Sequence, residues 1–147
     1  MFIDEINLNI IKHLRDGRKS YSEIAKALSI TENTVRARVN KLMDEGIFSI
    51  TGVVNPTEIP NQTIAFVGIK LKTMDLVKKG EEISKLKGVV SVSVVTGRYD
   101  LIMIIMLNEE FGLLEFYTKE MSKVTDVQSA ETFVTYENFN MKLPYIL

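Results

Sequence analysis

The chain has 147 residues, 46% hydrophobic and 25% charged, which suits one or two small globular domains and leaves little room for a long disordered tail. It has no cysteine, which excludes disulfides, thiolate nucleophiles and cysteine-based zinc sites. The formal net charge is -1 and nearly even along the chain: residues 1–52 carry 8 Lys+Arg and 7 Asp+Glu, residues 53–147 carry 10 and 12. A nucleic-acid partner must therefore be recognised by where charges point, not by bulk charge.

Residues 1–45 read as helical. Ile3, Ile6, Ile10 and Leu14 recur at helical spacing, and Asp16-Gly17 ends the segment. Ser20 with Glu23 three residues later has capping-box spacing and starts a second helix with Ile24 and Leu28 on its buried edge. Ser29-Ile30 is a tight turn. Thr31 is an N-cap for a third helix, Gly46 its stop, and Val35, Val39 and Leu42 its inner face. Residues 47–54 are rich in β-branched side chains and predict a short hairpin turning at Thr51-Gly52. Pro56 and Pro60 then make residues 55–62 a linker between domains at 1–54 and 63–147.

Beyond the linker the order is strand (63–73), helix (75–87, with Leu76, Ile83 and Leu86 inward), strand (89–96), tight turn at Gly97-Arg98 and strand (99–107). A helix (109–122) follows, with Phe111, Leu114, Tyr117 and Met121 at helical spacing, then a strand (127–137). The order βαββαβ predicts a ferredoxin-like α+β domain. Val89, Val90, Val92, Val94, Val95 and the run Leu101–Leu107 are apolar at both parities. Helices cover only one sheet face in this fold, so the other face predicts a homodimer. That apolar run, the longest in the chain, is far shorter than the roughly 20 residues a membrane helix needs. The first residues lack the basic region and apolar stretch of a secretory signal, which predicts a cytoplasmic protein with no membrane partner.

At about 100° per residue, the third helix turns Asn33, Thr34, Arg36, Ala37, Asn40 and Lys41 outward, with Arg38 on the flank and Thr31 at the cap. No acid interrupts this face between Asn33 and Lys41. Asn and Arg can bond base edges in the major groove, Thr and Lys can hold phosphates, and Ala37 lets a helix sit deep. Two helices and a short turn followed by a wing predict a winged helix-turn-helix on double-stranded DNA. A solvated face on a three-helix bundle has the same pattern, so periodicity alone leaves both readings open.

The stretch ITENTVRARVNKLMDEGIFSITGVVNP (Ile30 to Pro56) resembles the helix-turn-helix and wing of the Lrp/AsnC family, the feast/famine regulators of bacteria and archaea. The preceding DEINLNIIKHLRDGRKSYSEIAKALSIT resembles that family's opening. VVTGRYDLIMIIM (Val94 to Met106) is similar to its effector-domain signature, a Thr-Gly-x-x-Asp turn between two strands. The resemblance covers nearly the whole chain. It implies a DNA-binding domain, a ferredoxin-like effector domain, dimers that often assemble into octamers, and a small-molecule effector, usually an amino acid, held between dimers. By position, Gly97, Arg98, Tyr99 and Asp100 would contribute to that site, with Thr132 and Thr135 on the last strand.

Gly97 in a tight turn is equally explained by glycine's access to positive φ, and Asp100 by bonds to nearby backbone. The chemistry of an amino acid would set its ammonium on Asp100 and its carboxylate on Arg98 or backbone N–H groups, so Asp100→Ala is expected to abolish effector response and spare DNA binding. No metal, cofactor or catalytic residue is expected. His13 is the only histidine, Glu81-Glu82 and Glu109-Glu110 read as solvated early-helix acids, and Met103, Met106 and Met121 as packing. A regulatory subunit of an enzyme is the competing class, opposed by the donor-rich face of the third helix. A small enzyme is opposed by the absence of any nucleophile motif.

Overall fold

The computed structural model describes residues 3–147 and divides into two compact units, residues 1–51 and 52–147. The division falls three residues before the expected end of the first domain.

Among the described residues the first unit has three helices, each started by a side chain that satisfies a free backbone N–H. Asp4 caps α1 (Glu5–Leu14), accepting from the Asn7 amide at 2.7 Å. Ser20 and Glu23 form the full capping box of α2 (Tyr21–Leu28). Thr31 caps α3 (Glu32–Asp44), accepting from the Thr34 amide at 3.1 Å. The turn between α2 and α3 places Ser29 in the left-handed region, φ 55. Gly46, at φ 67, ends α3 and lets the Ile47 and Phe48 amides return to the Leu42 carbonyl. Ile10, Leu14, Ile24, Ala25, Val35 and Val39 form the core. Ile3 and Ile6 lie outside the core, 38% and 36% exposed. The buried position on the first turn of α1 is Asn7, 4% exposed, because Arg38 bonds its side chain.

The expected hairpin of residues 47–54 does not form. Residues 47–52 have no regular structure, and β1 (Val53–Val54) pairs antiparallel with β6 (Leu143–Pro144) from the far end of the second unit. A local hairpin offers β-branched residues few partners, whereas the C-terminal segment offers a backbone edge to pair with. The expected linker carries a 3-10 turn, Pro56–Glu58, with Pro56 buried in the second unit.

In that unit β2 (Thr63–Leu71), β3 (Val89–Val94), β4 (Leu101–Leu107) and β5 (Val127–Val134) form one antiparallel sheet in the order β3-β4-β2-β5. With α4 (Leu76–Ser84) and α5 (Leu113–Glu115) this is the ferredoxin-like order. Ala65, Val67, Ile69 and Leu71 of β2, and Leu101, Met103, Ile105 and Leu107 of β4, pack on Ile83, Phe111 and Phe116. On the opposite face Phe66 pairs with Ile104 and Phe133, and Gly68 with Ile102 and Glu131. On β3 this face presents Ser91 and Ser93, so its apolar character comes from β2, β4 and β5 and not from the valine run.

The segment α5 starts at Leu113, later than expected, because the Asn108 side chain accepts from the Glu110 and Phe111 amides and holds a turn there. It runs helical over Leu113–Glu115, continues as a π-helix over Phe116–Glu120 and closes with a 3-10 turn, Met121–Lys123. The Met121 amide bonds the Phe116 carbonyl, five residues back. That wider turn brings Phe116 into the core and leaves Leu114 71% exposed, against the regular spacing.

Candidate DNA-reading helix and effector turn

The core-facing stripe of α3 is Val35, Val39 and Leu42, all fully buried. Asn33, Arg36, Ala37, Asn40 and Lys41 are exposed, and Thr34 and Arg38 are half-buried. The residues on this face differ in freedom. Thr31 and Thr34 share a hydroxyl–hydroxyl bond of 2.8 Å within the cap. Arg36 Nη2 donates to Glu32 Oε1 at 2.8 Å, and its guanidinium lies 5.2 Å from the Tyr21 ring centroid. Arg38 Nη1 donates to Asp4 Oδ2 at 2.7 Å and Asn7 Oδ1 at 2.9 Å. The Asn7 amide, then Arg38, holds the Asp4 carboxyl below the ordinary range. A groove of about 640 Å³ runs beside this network, lined by Asn33, Thr34, Ala37, Arg38 and Lys41 of α3 and by Asp4 and Asn7 of α1.

The turn between β3 and β4 is longer than the expected Gly97-Arg98 hairpin: the Val95 amide bonds the Asp100 carbonyl at 3.0 Å, enclosing residues 96–99. Gly97 sits at φ 123, which favours glycine. Asp100 is engaged within the fold. Oδ2 accepts from the Leu71 amide and Oδ1 from Lys70 Nζ, both at 2.8 Å, where the β2–β5 register shifts. The Leu71 amide first, then Lys70, keeps its carboxyl below the usual carboxylate value. This is the backbone-bonding role weighed for Asp100 from sequence.

Tyr99 lies over the outer face of the sheet. Its ring covers Gly68 so closely that a Cβ there would stand 2.7 Å from three ring carbons. Its hydroxyl donates to Glu131, which raises the Tyr99 pKa, and Glu131 also pairs with Arg98 Nη2 at 3.2 Å. Phe133 meets the Tyr99 ring edge-on at 6.4 Å.

Gly97, Arg98, Tyr99 and Asp100 are therefore together, and Thr132 and Thr135 are apart from them. Thr132 points to the helices, sharing a 2.6 Å bond with the Tyr117 hydroxyl. Thr135 donates through N and Oγ1 to the Ile64 carbonyl. Ile64 and Leu71 bracket seven steps of β2, roughly 23 Å. Sequence reasoning missed Glu131, Phe133 and Gly68. Strand alternation sets Glu131 and Phe133 opposite Thr132, but only the pairing of β2 with β5 brings them to Tyr99. Among the described residues no cluster of His, Cys, Asp or Glu could hold a metal, and no helix is long and apolar enough to cross a membrane.

Two families match the chain: the AsnC-type helix-turn-helix domain over residues 3–43 and the Lrp/AsnC ligand binding domain over residues 64–143. An HTH-type transcriptional regulator of Pyrococcus abyssi is 34% identical over 134 residues, 90% of this chain and 85% of the relative. The structure of E. coli AsnC aligns with a TM-score of 0.70 at 25% identity, covering 96% of this chain and 97% of that one. A Neisseria meningitidis transcriptional regulator in complex with L-Met aligns with a TM-score of 0.69 at 19% identity, covering 99% and 96%. These families and relatives are transcription regulators, not enzymes. The chain belongs to the Lrp/AsnC family of DNA-binding transcription regulators, with a helix-turn-helix domain followed by a ligand-binding domain.

Proposed function

We propose that the protein reads double-stranded DNA sequence-specifically through α3, acts in the cytoplasm as a homodimer that assembles further to an octamer, and changes assembly or DNA affinity when an amino acid binds at the turn of residues 97–100. The observation that carries DNA reading is the outer face of α3, where Asn33, Arg36, Ala37, Asn40 and Lys41 stand exposed beside a groove. Asn and Arg suit base edges, Lys and the cap threonine suit phosphates, and Arg38 acts by holding α1. The apolar outer sheet face, with Phe66, Ile102, Ile104 and Phe133, supports pairing with a second copy.

An amino acid as effector is supported by the L-Met in the N. meningitidis neighbour. At this turn Glu131 is the carboxylate suited to its ammonium, while Arg98, 78% exposed, and the turn's backbone suit its carboxylate. Asp100 holds the turn in shape, and Thr132 and Thr135 have no part in this turn's site on the same chain. The test is protection of the gene's own upstream DNA from nuclease, with and without each amino acid. The expected result is a pair of half-sites about one helical turn, roughly 10 bp, or a multiple of it apart. One amino acid should alter that protection. Protection no better than on random DNA would contradict the proposal.

A further inference from the structure

Arg36 is held from two sides. Its Nη2 donates to Glu32 Oε1, one turn earlier on α3, at 2.8 Å, and Tyr21 of α2 lies under the guanidinium, 5.2 Å from ring centroid to Cζ. Both ends of the pair are about half exposed, 54% for Arg36 and 47% for Glu32, so it belongs to the surface and not to the core. An exposed pair one turn apart on a helix adds little to stability. An acid in the first turn of a DNA-reading helix also repels phosphates, so it weakens every contact to the DNA backbone.

Arginine on a free stem serves phosphate and guanine alike. A guanidinium bonded by a carboxylate on one nitrogen, with an aromatic ring below, is biased toward one set of rotamers before DNA arrives. It keeps the planar fork that bonds guanine O6 and N7, while its charge toward the phosphates is largely offset.

We infer that Glu32 is a specificity-determining positioning residue: with Tyr21 it holds Arg36 for a guanine edge, while its charge weakens phosphate contacts on any sequence. The inference rests on the DNA-reading role proposed for α3. It adds that one acid lowers affinity for DNA in general to raise selectivity for one G·C pair.

The experiment selects bound sequences from a pool of random duplexes about three helical turns long, roughly 30 bp, with the full-length protein. Affinity for the selected duplex, its single-base variants and the unselected pool is then measured for wild type, Glu32→Gln and Arg36→Lys. Glu32→Gln is expected to bind the unselected pool severalfold tighter, with a salt dependence steeper by about one counterion. It should also lose up to about fivefold discrimination at one G·C position, the same position that Arg36→Lys relaxes. Unchanged discrimination at every position in Glu32→Gln, with only a lower melting temperature, would overturn the inference and leave the pair a helix staple. A wild-type protein that enriches no sequence from the pool would overturn the DNA reading itself, and this inference with it. That result is distinct from a Glu32→Gln variant that selects the wild-type site with wild-type discrimination.

Discussion

Arg38 of α3 donates to Asp4, the residue that caps α1, at 2.7 Å, and the same nitrogen reaches Asn7 Oδ1 at 2.9 Å. One guanidinium thus ties the start of α1 to the middle of α3. Removing it leaves Asn7 buried without this donor and the cap of α1 without its counter-charge. Arg38→Ala is expected to lower the melting temperature clearly while leaving the salt dependence of DNA binding unchanged. An unchanged melting temperature with a shallower salt slope would make Arg38 a phosphate contact instead.

Asp4 and Asp100 respond to acid in the same direction. Each titrates below its ordinary value in the folded chain, Asp4 chiefly through the Asn7 amide and Asp100 chiefly through the Leu71 amide. The stability each contributes is complete above the unfolded-chain value, about 3.9, and is lost as pH falls through the lower folded value. Glu23 and Glu120 are lowered likewise from 4.5, so melting temperature should be flat near neutral pH and begin to drop below about pH 4.5. Asp100→Asn should make that drop shallower; a drop as steep as the wild type's would place the acid sensitivity elsewhere.

Gly68 has no room for a side chain, because the Tyr99 ring occupies the space of a Cβ. Gly68→Ala must push Tyr99 off the sheet and break its bond to Glu131. The expected cost is about 1–3 kcal/mol, the usual range for overpacking a tight contact. The chain has no tryptophan and five tyrosines, so a difference in tyrosine fluorescence between Gly68→Ala and wild type reports the displaced ring. Wild-type stability in Gly68→Ala would mean that Tyr99 moves away at no cost.

Glu131 and Asp100 separate ligand contact from scaffold. Glu131→Gln keeps the shape of the side chain and removes the charge proposed to receive an ammonium. Calorimetry should show loss of amino-acid binding with little change in melting temperature. Asp100→Ala should lower the melting temperature first, since it frees the Leu71 amide and Lys70 together. Amino-acid affinity equal to wild type in Glu131→Gln would return the ammonium to another group.

The helical half was readable because its signals are local. Ser20 with Glu23, Thr31, and Gly46 each act within one turn of chain, and all three perform the roles their spacing implies. The strand order was readable from alternation and turns. What escaped depends on partners distant in sequence. Val53–Val54 has strand composition, but its partner, Leu143–Pro144, is some ninety residues away, so a local hairpin was the only pairing within view. The π turn at Phe116 moves the buried face without any mark in composition. Nothing in the sequence marks Glu131; only the pairing of β5 with β2 brings it to Tyr99.

The most direct test of DNA reading by α3 is a salt series of binding to the gene's own upstream duplex, with wild type, Arg36→Ala and Lys41→Ala side by side. The account predicts saturable binding that weakens as salt rises. Lys41→Ala should weaken binding to all sequences alike and reduce the salt slope by about one, and Arg36→Ala should lose about 5- to 150-fold of the preference for the specific site. Binding that matches random DNA at every salt concentration, or that neither substitution changes, would contradict it.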